Sequence, residues 1–337
     1  MSYPDPTPVT DLMEGFRRSK TMFAAVSLGI FDLLAAGPLE GKEVAARLNA
    51  NADAMQRLLE ACVSLRLLTS DTGKFANADV ADVYLRTSSE RALTGYIQYS
   101  NDALYQLWGH LEDAVREGTP RWEQTFGWPG PIFEHFFSTP EKMRTFTLAM
   151  HGQGVSTSPE VVRAFDLSRF STIVDLGAAT GHLVIAACEA WPQLRGVVFD
   201  MEKVLSVARE FVAKSPAHDR ITFQSGDFFL NELPRADLYA LGRILHDWPE
   251  SKIRLLLQRV FESLPAGGGL LIAEKQIFED RSGPVGAYMQ SLGMLVCTEG
   301  KERSLSEYTG LLKEAGFATV EGKRTGKYLD AILAVKA

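Results

Sequence analysis

STIVD at 171–175, RGVVFD at 195–200, ITFQSGD at 221–227, DLYALGRILH at 237–246 and GLLIAE at 269–274 are five apolar, strand-like runs. Each closes on a polar residue suited to chemistry: Asp175, Asp200, Asp227, His246 and Glu274. Helix-like or loop stretches separate the runs, and that alternation predicts an α/β fold with a doubly wound parallel sheet. Ligands of such sheets bind beyond the carboxyl ends of the strands, where these five residues are expected to converge. The pattern makes the chain an enzyme candidate.

The loop after the first run, DLGAATGH, is rich in small residues, as a backbone that approaches a ligand requires. A dinucleotide site would want G-x-G-x-x-G opening a helix. Here Gly177 and Gly181 have no third glycine in register, so a nucleoside without phosphates fits better than a dinucleotide. Asp200 suits the two hydroxyls of an unmodified ribose. Asp227, followed by Phe228 and Phe229, offers an acceptor beside an aromatic wall, as an adenine would use. Any one of these acids could be a helix N-cap. Three at consecutive strand ends point instead to a ligand that carries positive charge.

His246 suits general-base work, with an expected pKa near 6–7. Glu274 can hold the imidazole through its other ring nitrogen, and Glu302, in TEGKER, can fold back over the site. His110, His135, His151 and His218 read as structural histidines, and His182 beside the glycine loop stays open. The sequence has no G-x-S-x-G, P-loop or HExxH, which removes support for acyl transfer, phosphoryl transfer and zinc hydrolysis. No metal is expected.

Towards the N-terminus, residues from about 11 to 36 read as helix, stopped by Gly37-Pro38. GKEVAARLN and ADAMQRLLEACVSLRLL follow as two short helices across an Asn51 turn, and LLTSDTGKFANAD as a hairpin turning at Asp71-Thr72-Gly73. That order is a winged-helix pattern. Residues 1–100 carry 10 Lys and Arg against 12 Asp and Glu, a poor surface for phosphates, so dimerisation or substrate positioning is expected in place of DNA binding. Residues from about 87 to 165 read as helical and rich in aromatics. Packing accounts for most of these rings, and a pocket for a planar substrate would draw on some.

Over all 337 residues the net charge is −7, the hydrophobic share 46% and the charged share 23%, ordinary for a soluble globular protein with no whole-chain affinity for nucleic acid. No run approaches the roughly 20 apolar residues of a membrane helix, and MSYPDPTPVT lacks the marks of a signal peptide. Cys62, Cys188 and Cys297 are scattered without CxxC spacing, as reduced thiols would be. A cytoplasmic protein is expected.

The segments LWGHLEDAVREGT, AFDLSRF, GDFF, RILHDWP, SLGMLVCTEGKERS and LDAILA, spread over nearly the whole chain, resemble class I S-adenosylmethionine-dependent O-methyltransferases of the caffeate and hydroxyindole type. Within that family the chain resembles the acetylserotonin O-methyltransferases and the acetylserotonin O-methyltransferase-like protein. The resemblance implies a winged-helix-like dimerisation domain over 1–100, a helical linker over 101–165 contributing to the substrate pocket, and a Rossmann-like catalytic domain over 166–337, assembled as a homodimer. It implies S-adenosylmethionine as cofactor, with S-adenosylhomocysteine as product, and a small aromatic hydroxyl as methyl acceptor. By motif, the resemblance implies that Asp175 and Gly177 line the methionine end of the cofactor, Asp200 its ribose, and Asp227 with Phe228 its adenine, with Gly181 and Gly226 also among the cofactor-binding residues. Arg243 becomes a further cofactor contact, His246 the general base, and Glu274 and Glu302 its flanking carboxylates. Asp247, Gly293, Met294 and Cys297 become substrate contacts. The chain departs from the pattern at Ala178 and Ala179, which replace the loop's usual central glycines. It departs again at Gly293 and Cys297, where acetylserotonin enzymes carry Asn and Gln, and near Gln153, where an aromatic is replaced. A different or bulkier acceptor than N-acetylserotonin is therefore expected. The competing reading is a cofactor-binding protein of this fold without methyl transfer, serving as a scaffold or sensor or running hydroxylation or decarboxylation.

Overall fold

The computed structural model describes residues 3–130 and 132–337. The chain divides into two compact units, 1–103 and 104–337.

In the first unit the helix Thr7–Ser27 begins earlier than its apolar periodicity suggested, because prolines near its start suit the first turn, where no amide partner is needed. Gly29, at φ 75°, breaks it before the short helix Ile30–Leu34. Gly41–Arg47 opens with a capping box between Glu40 and Glu43, and Ala52–Ser64 is capped by the Asn51 side chain. Strand β1 (Leu39–Glu40) pairs with β3 (Lys74–Asn77), which pairs with β2 (Leu68–Asp71). Thr72 and Gly73, at φ 49° and 79°, make the two-residue turn whose twist matches its strands. Ile30, Phe31, Leu59 and Phe75 are buried between these elements. The helix Thr7–Ser27 leaves Val9, Leu12, Met13 and Phe16 at least half exposed within the chain (63%, 82%, 66% and 55%).

The second unit carries a seven-stranded sheet. β4 is Thr172–Leu176, β5 Arg195–Asp200, β6 Ile221–Ser225, β7 Leu238–Gly242, β8 Gly269–Glu274, β9 Thr319–Lys323 and β10 Asp330–Val335. Their order is β6-β5-β4-β7-β8-β10-β9. The five expected strands run parallel, and β10 lies antiparallel between β8 and β9. Alternation along β4 sends Ile173 into the apolar layer with Val161, Leu183 and Val198, and Val174 and Leu176 into the opposite layer with Ile253, Leu257 and Leu312. Each such fully buried side chain contributes roughly 1.5–3 kcal/mol. The chain winds outward from β4 to β6 and then crosses to β7 on the other side of β4, so the strand order reverses between β4 and β7 and opens a crevice there.

Two strand ends differ from the sequence reading. β6 stops at Ser225, short of Asp227, and β7 stops at Gly242. His246 is therefore not on a strand; it sits in the helical turn Leu245–Asp247 that follows. The helix Pro140–Arg163 lies in this same unit and packs chiefly on the helices His182–Ala190 and Glu202–Val212, which follow β4 and β5. Among the described residues no helix is long and apolar enough to cross a membrane.

Candidate active site

The loop after β4 turns sharply, with Gly177, Ala179 and Gly181 all at positive φ (73°, 51° and 77°). A Cβ on Gly177 would lie 2.6 Å from Ile244 Cδ1, so glycine is needed both for conformation and for clearance. Ala178 is buried in the apolar cluster with Leu183 and Val198. Ala179 donates its N–H to Asp200 Oδ2 at 2.8 Å, and Met201 N–H reaches Asp200 Oδ1 at 2.7 Å. Burial raises the Asp200 pKa, those two amides oppose the rise, and it settles at about 6. Asp175 is 2% exposed and its Oδ2 has no hydrogen bond. Burial, then the charge of Asp200, push its pKa up to about 8. A buried carboxylate oxygen without a partner fits a ligand bearing ammonium or other positive charge.

Beyond β6, Asp227 Oδ1 accepts the Phe229 N–H at 2.7 Å, and Asn231 Oδ1 accepts the Asp227 N–H at 2.7 Å. The Phe228 ring faces Gly177, 3.3 Å from where a Cβ would stand. Gly226 has a different cause: its Cβ would lie 2.4 Å from Phe199 Cζ, so it is required by packing. Arg243, at φ 58°, gives Nη1 to Gln153 Oε1 at 2.5 Å. Gln153 thus anchors Arg243 to the helix Pro140–Arg163. On that helix His151 bonds Thr180 at 2.7 Å, and Ser158 bonds His182 at 2.8 Å. Burial pushes the two imidazoles down to about 4 and about 3, which makes His182, like His151, a neutral structural residue.

The turn carrying His246 is built around Glu274 at the end of β8. Its Oε1 accepts the N–H groups of Ile244 (3.0 Å), Leu245 (2.8 Å) and His246 (3.4 Å). The His246 ring is held from a different segment, with Nδ1 2.6 Å from Glu302 Oε1. Glu274 Oε2 stands 3.3 Å from the same nitrogen without a hydrogen bond, because Nδ1 has one hydrogen and Glu302 takes it. Nε2 is left facing Asp247 Oδ1 at 3.8 Å. His246, Glu274 and Glu302 are 3%, 0% and 2% exposed. Burial alone would lower the His246 pKa; Glu274, then Glu302 and Asp247, outweigh it and raise it to about 10. The sequence expectation of 6–7 is corrected upward, since three carboxylates in a dry site act on one ring. Burial also raises Glu274 to about 7 and Asp247 to about 6, with His246 opposing both shifts. Donor atoms of His246, Glu274 and Glu302 lie within 4.8 Å of one another. At 2.6 Å the His246–Glu302 contact is a hydrogen bond, shorter than the roughly 3 Å that separates two ligands on one metal.

Four residues here were not singled out from the sequence. Gly300 packs so tightly that a Cβ would lie 2.1 Å from His246 O and 2.6 Å from Trp248 N. Ser291 Oγ accepts the Glu302 N–H at 3.3 Å. Arg303 and Tyr308 are buried behind the turn. The one usable signal was the glycine between two acids in TEGKER.

Opposite the turn, Gly293 is a buried helical glycine, and a Cβ built on it meets nothing within 4 Å. Met294 and Cys297 are buried on the same helix, Val285–Cys297, whose end is pinned by Trp122 Nε1 to Cys297 O at 2.9 Å. Aromatic packing reaches the base turn through Phe133 on Trp248 (centroids 5.4 Å) and Phe229 on Trp248 (5.2 Å). Other rings of the 122–146 stretch pack on one another, as Phe136 stacks on Phe146 at 4.1 Å.

Residues 108–318 match the family model of the O-methyltransferase domain, and residues 10–87 that of the O-methyltransferase dimerisation domain. The chain belongs to the S-adenosylmethionine-dependent O-methyltransferases. Acetylserotonin O-methyltransferase of Gallus gallus is 40% identical over 338 residues, 98% of this chain and 97% of that protein. A Homo sapiens protein described as a probable bifunctional dTTP/UTP pyrophosphatase/methyltransferase is 41% identical over 336 residues, and this chain spans 54% of its length while matching over 99% of its own. The crystal structure of human N-acetylserotonin methyltransferase in complex with SAM superposes with a TM-score of 0.93 at 39% identity, covering 100% of this chain and 99% of that one.

Proposed function

We propose that this enzyme methylates the hydroxyl of a small aromatic acceptor, phenolic or hydroxyindole-like, with His246 as the base. The observation that carries the reading is the His246 ring, whose Nδ1 is pinned to Glu302 at 2.6 Å so that Nε2 is left for the acceptor at the switch point of the sheet. S-adenosylmethionine bound in the crevice supplies an electrophilic methyl group and leaves as S-adenosylhomocysteine. Asp200 holds the ribose hydroxyls, Asp227 and Phe228 the adenine, and Asp175 with Gly177 and Gly181 the methionine end, with Arg243 as a further contact. Nε2 takes the acceptor's hydroxyl proton, Glu302 steadies the imidazolium so formed, and Asp247 stands ready beside the protonated Nε2. General-base removal of the proton is worth roughly 10²–10⁴-fold. Gly293, Met294 and Cys297 line the acceptor's side. Two of the three lack the amides of the acetylserotonin enzymes, and the open space at Gly293 favours a bulkier acceptor than N-acetylserotonin. The same reading makes the protein a homodimer, through the apolar face of the helix Thr7–Ser27.

His246→Ala should lower turnover about 100-fold or more while leaving S-adenosylhomocysteine affinity nearly unchanged. Asp200→Ala should weaken that affinity by about 1.5–3 kcal/mol, the scale of a lost charge-assisted hydrogen bond. The base works as neutral imidazole, and its pKa is raised to about 10. Turnover of a phenol of pKa ~10 should therefore climb from pH 6 to pH 9 rather than level off above 7. Wild-type turnover by His246→Ala, or a flat pH profile, would falsify the assignment of the base.

A further inference from the structure

Arg303 follows Glu302 directly and is 2% exposed. Its guanidinium is spent on backbone carbonyls: Nη1 donates to Leu245 O at 3.4 Å and Lys301 O at 3.0 Å, and Nη2 to Trp248 O at 3.5 Å. Leu245 and Trp248 bracket His246 and Asp247. The Arg303 carbonyl in turn accepts the Ile277 N–H at 3.0 Å, beside a parallel bridge between Ile277 and Ser304. One residue therefore ties together the turn that carries His246, the continuation of the strand that carries Glu274, and the loop that carries Glu302.

Neutral carbonyls do not by themselves call for a buried cation, since burying a guanidinium is expensive without opposing charge. Carboxylates stand on the elements it ties together. Glu274 from β8, Glu302 from the neighbouring loop and Asp247 on the base's own turn all act on His246. Arg243, at the end of β7, bears on Asp247. Tyr308, from the helix Leu305–Glu314, lies within the field of the same groups. Burial raises its pKa well above the usual value, Glu274 and Glu302 add to the rise, and Arg303 opposes it. The Tyr308 hydroxyl, Arg303 Nε, Glu274 Oε2 and Glu302 Oε2 make no hydrogen bond of good geometry, so this polar nucleus is held together by charge as much as by hydrogen bonds.

We propose that Arg303 is a positioning residue for methyl transfer: its planar fork fixes the turn of His246 against the loop of Glu302. The inference rests on His246 being the base. A lysine keeps the charge, but its single nitrogen cannot span carbonyls on both sides of His246. Arg303→Lys and Arg303→Gln therefore both test the fork.

The imidazole of His246 would be titrated by NMR in ¹⁵N-labelled protein without ligand, and turnover measured with N-acetylserotonin and 2-naphthol as acceptors. Arg303→Gln should lower the imidazole midpoint by half a pH unit or more, because a turn no longer tied to the loop parts His246 from Glu302, one of the carboxylates that raise it. Arg303→Lys should shift the midpoint in the same direction and lower kcat about tenfold, with S-adenosylhomocysteine binding within twofold of wild type. The inference is overturned if Arg303→Lys keeps wild-type kcat, or if Arg303→Gln loses thermal stability without moving the midpoint. It also falls if neither variant folds, since the residue would then be a structural one. His246→Ala run alongside keeps the two ideas apart: if that variant stays fully active the base assignment fails, whereas an inactive His246→Ala beside a fully active Arg303→Lys removes only the role of Arg303.

Discussion

The two glutamates beside His246 do different work, and substitutions should tell them apart. Glu274 Oε1 is the shared acceptor of three consecutive backbone amides, so Glu274→Ala removes the acceptor around which the turn is folded. A stability loss of about 2–3 kcal/mol by denaturant unfolding is expected, the scale for leaving buried donors without a partner. Glu302 acts on the ring alone. Glu302→Gln can still accept the Nδ1 hydrogen bond but removes a charge that raises the His246 pKa, so the alkaline rise of turnover should move to lower pH with little loss of stability. Equal effects of the two changes on Tm would contradict this division. His246 and Glu274 were legible because strand-end polar residues of a doubly wound sheet share one crevice, and Glu302 because an acid in a loop after a helix can close over it. Arg303, Tyr308 and Ser291 were not, because their signal lies in contacts between segments far apart in the chain. The proton affinity of His246 was misjudged for the same reason: sequence supplies the carboxylates but not how completely they are buried together.

At the scale of elements, His246 sits in a turn rather than on a strand, and that turn is only as firm as the loop pressed against it. Gly300 is the contact point, with no room for a methyl group between it and the His246–Trp248 backbone. Gly300→Ala should displace the 298–304 loop, cost about 1–3 kcal/mol as overpacking does, and separate Glu302 from His246. Turnover should collapse while S-adenosylhomocysteine still binds, because the crevice over β4 and β5 is untouched. Normal turnover in a stably folded variant would mean that the loop can shift without the base. The parallel strands and the hairpin at Thr72-Gly73 were read from sequence because apolar runs and turn residues are local signals. Strands β9 and β10 went unnoticed as strands. β9 alternates half-buried with exposed positions and carries Gly322 in its middle, and β10 supplies no strand-end residue of obvious chemistry. The stop of β7 at Gly242 was missed because the apolar run continues through Ile244 and Leu245 into the turn.

For the whole molecule, the dimerisation domain and the bare apolar face of the helix Thr7–Ser27 lead to one expectation. Leu12→Asp with Phe16→Asp should convert the dimer to monomer in light scattering at micromolar concentration, and the first unit should keep its fold because neither side chain enters its core. A variant that stays dimeric would place the interface elsewhere. The sheet of the second unit has its own large-scale consequence. Glu274 ends β8, and its register partner Asp330 opens β10, the strand inserted between β8 and β9. During biosynthesis β8 and β9 leave the ribosome before the strand that joins them. The segment bearing Glu274 thus waits with an unpaired, apolar edge, since β9 pairs only with β10 and cannot cover it, an arrangement prone to intermolecular pairing. Nascent chains interrupted before Asp330 should aggregate rather than accumulate as inactive monomers, and this enzyme should depend most on chaperones in the interval before β10 emerges.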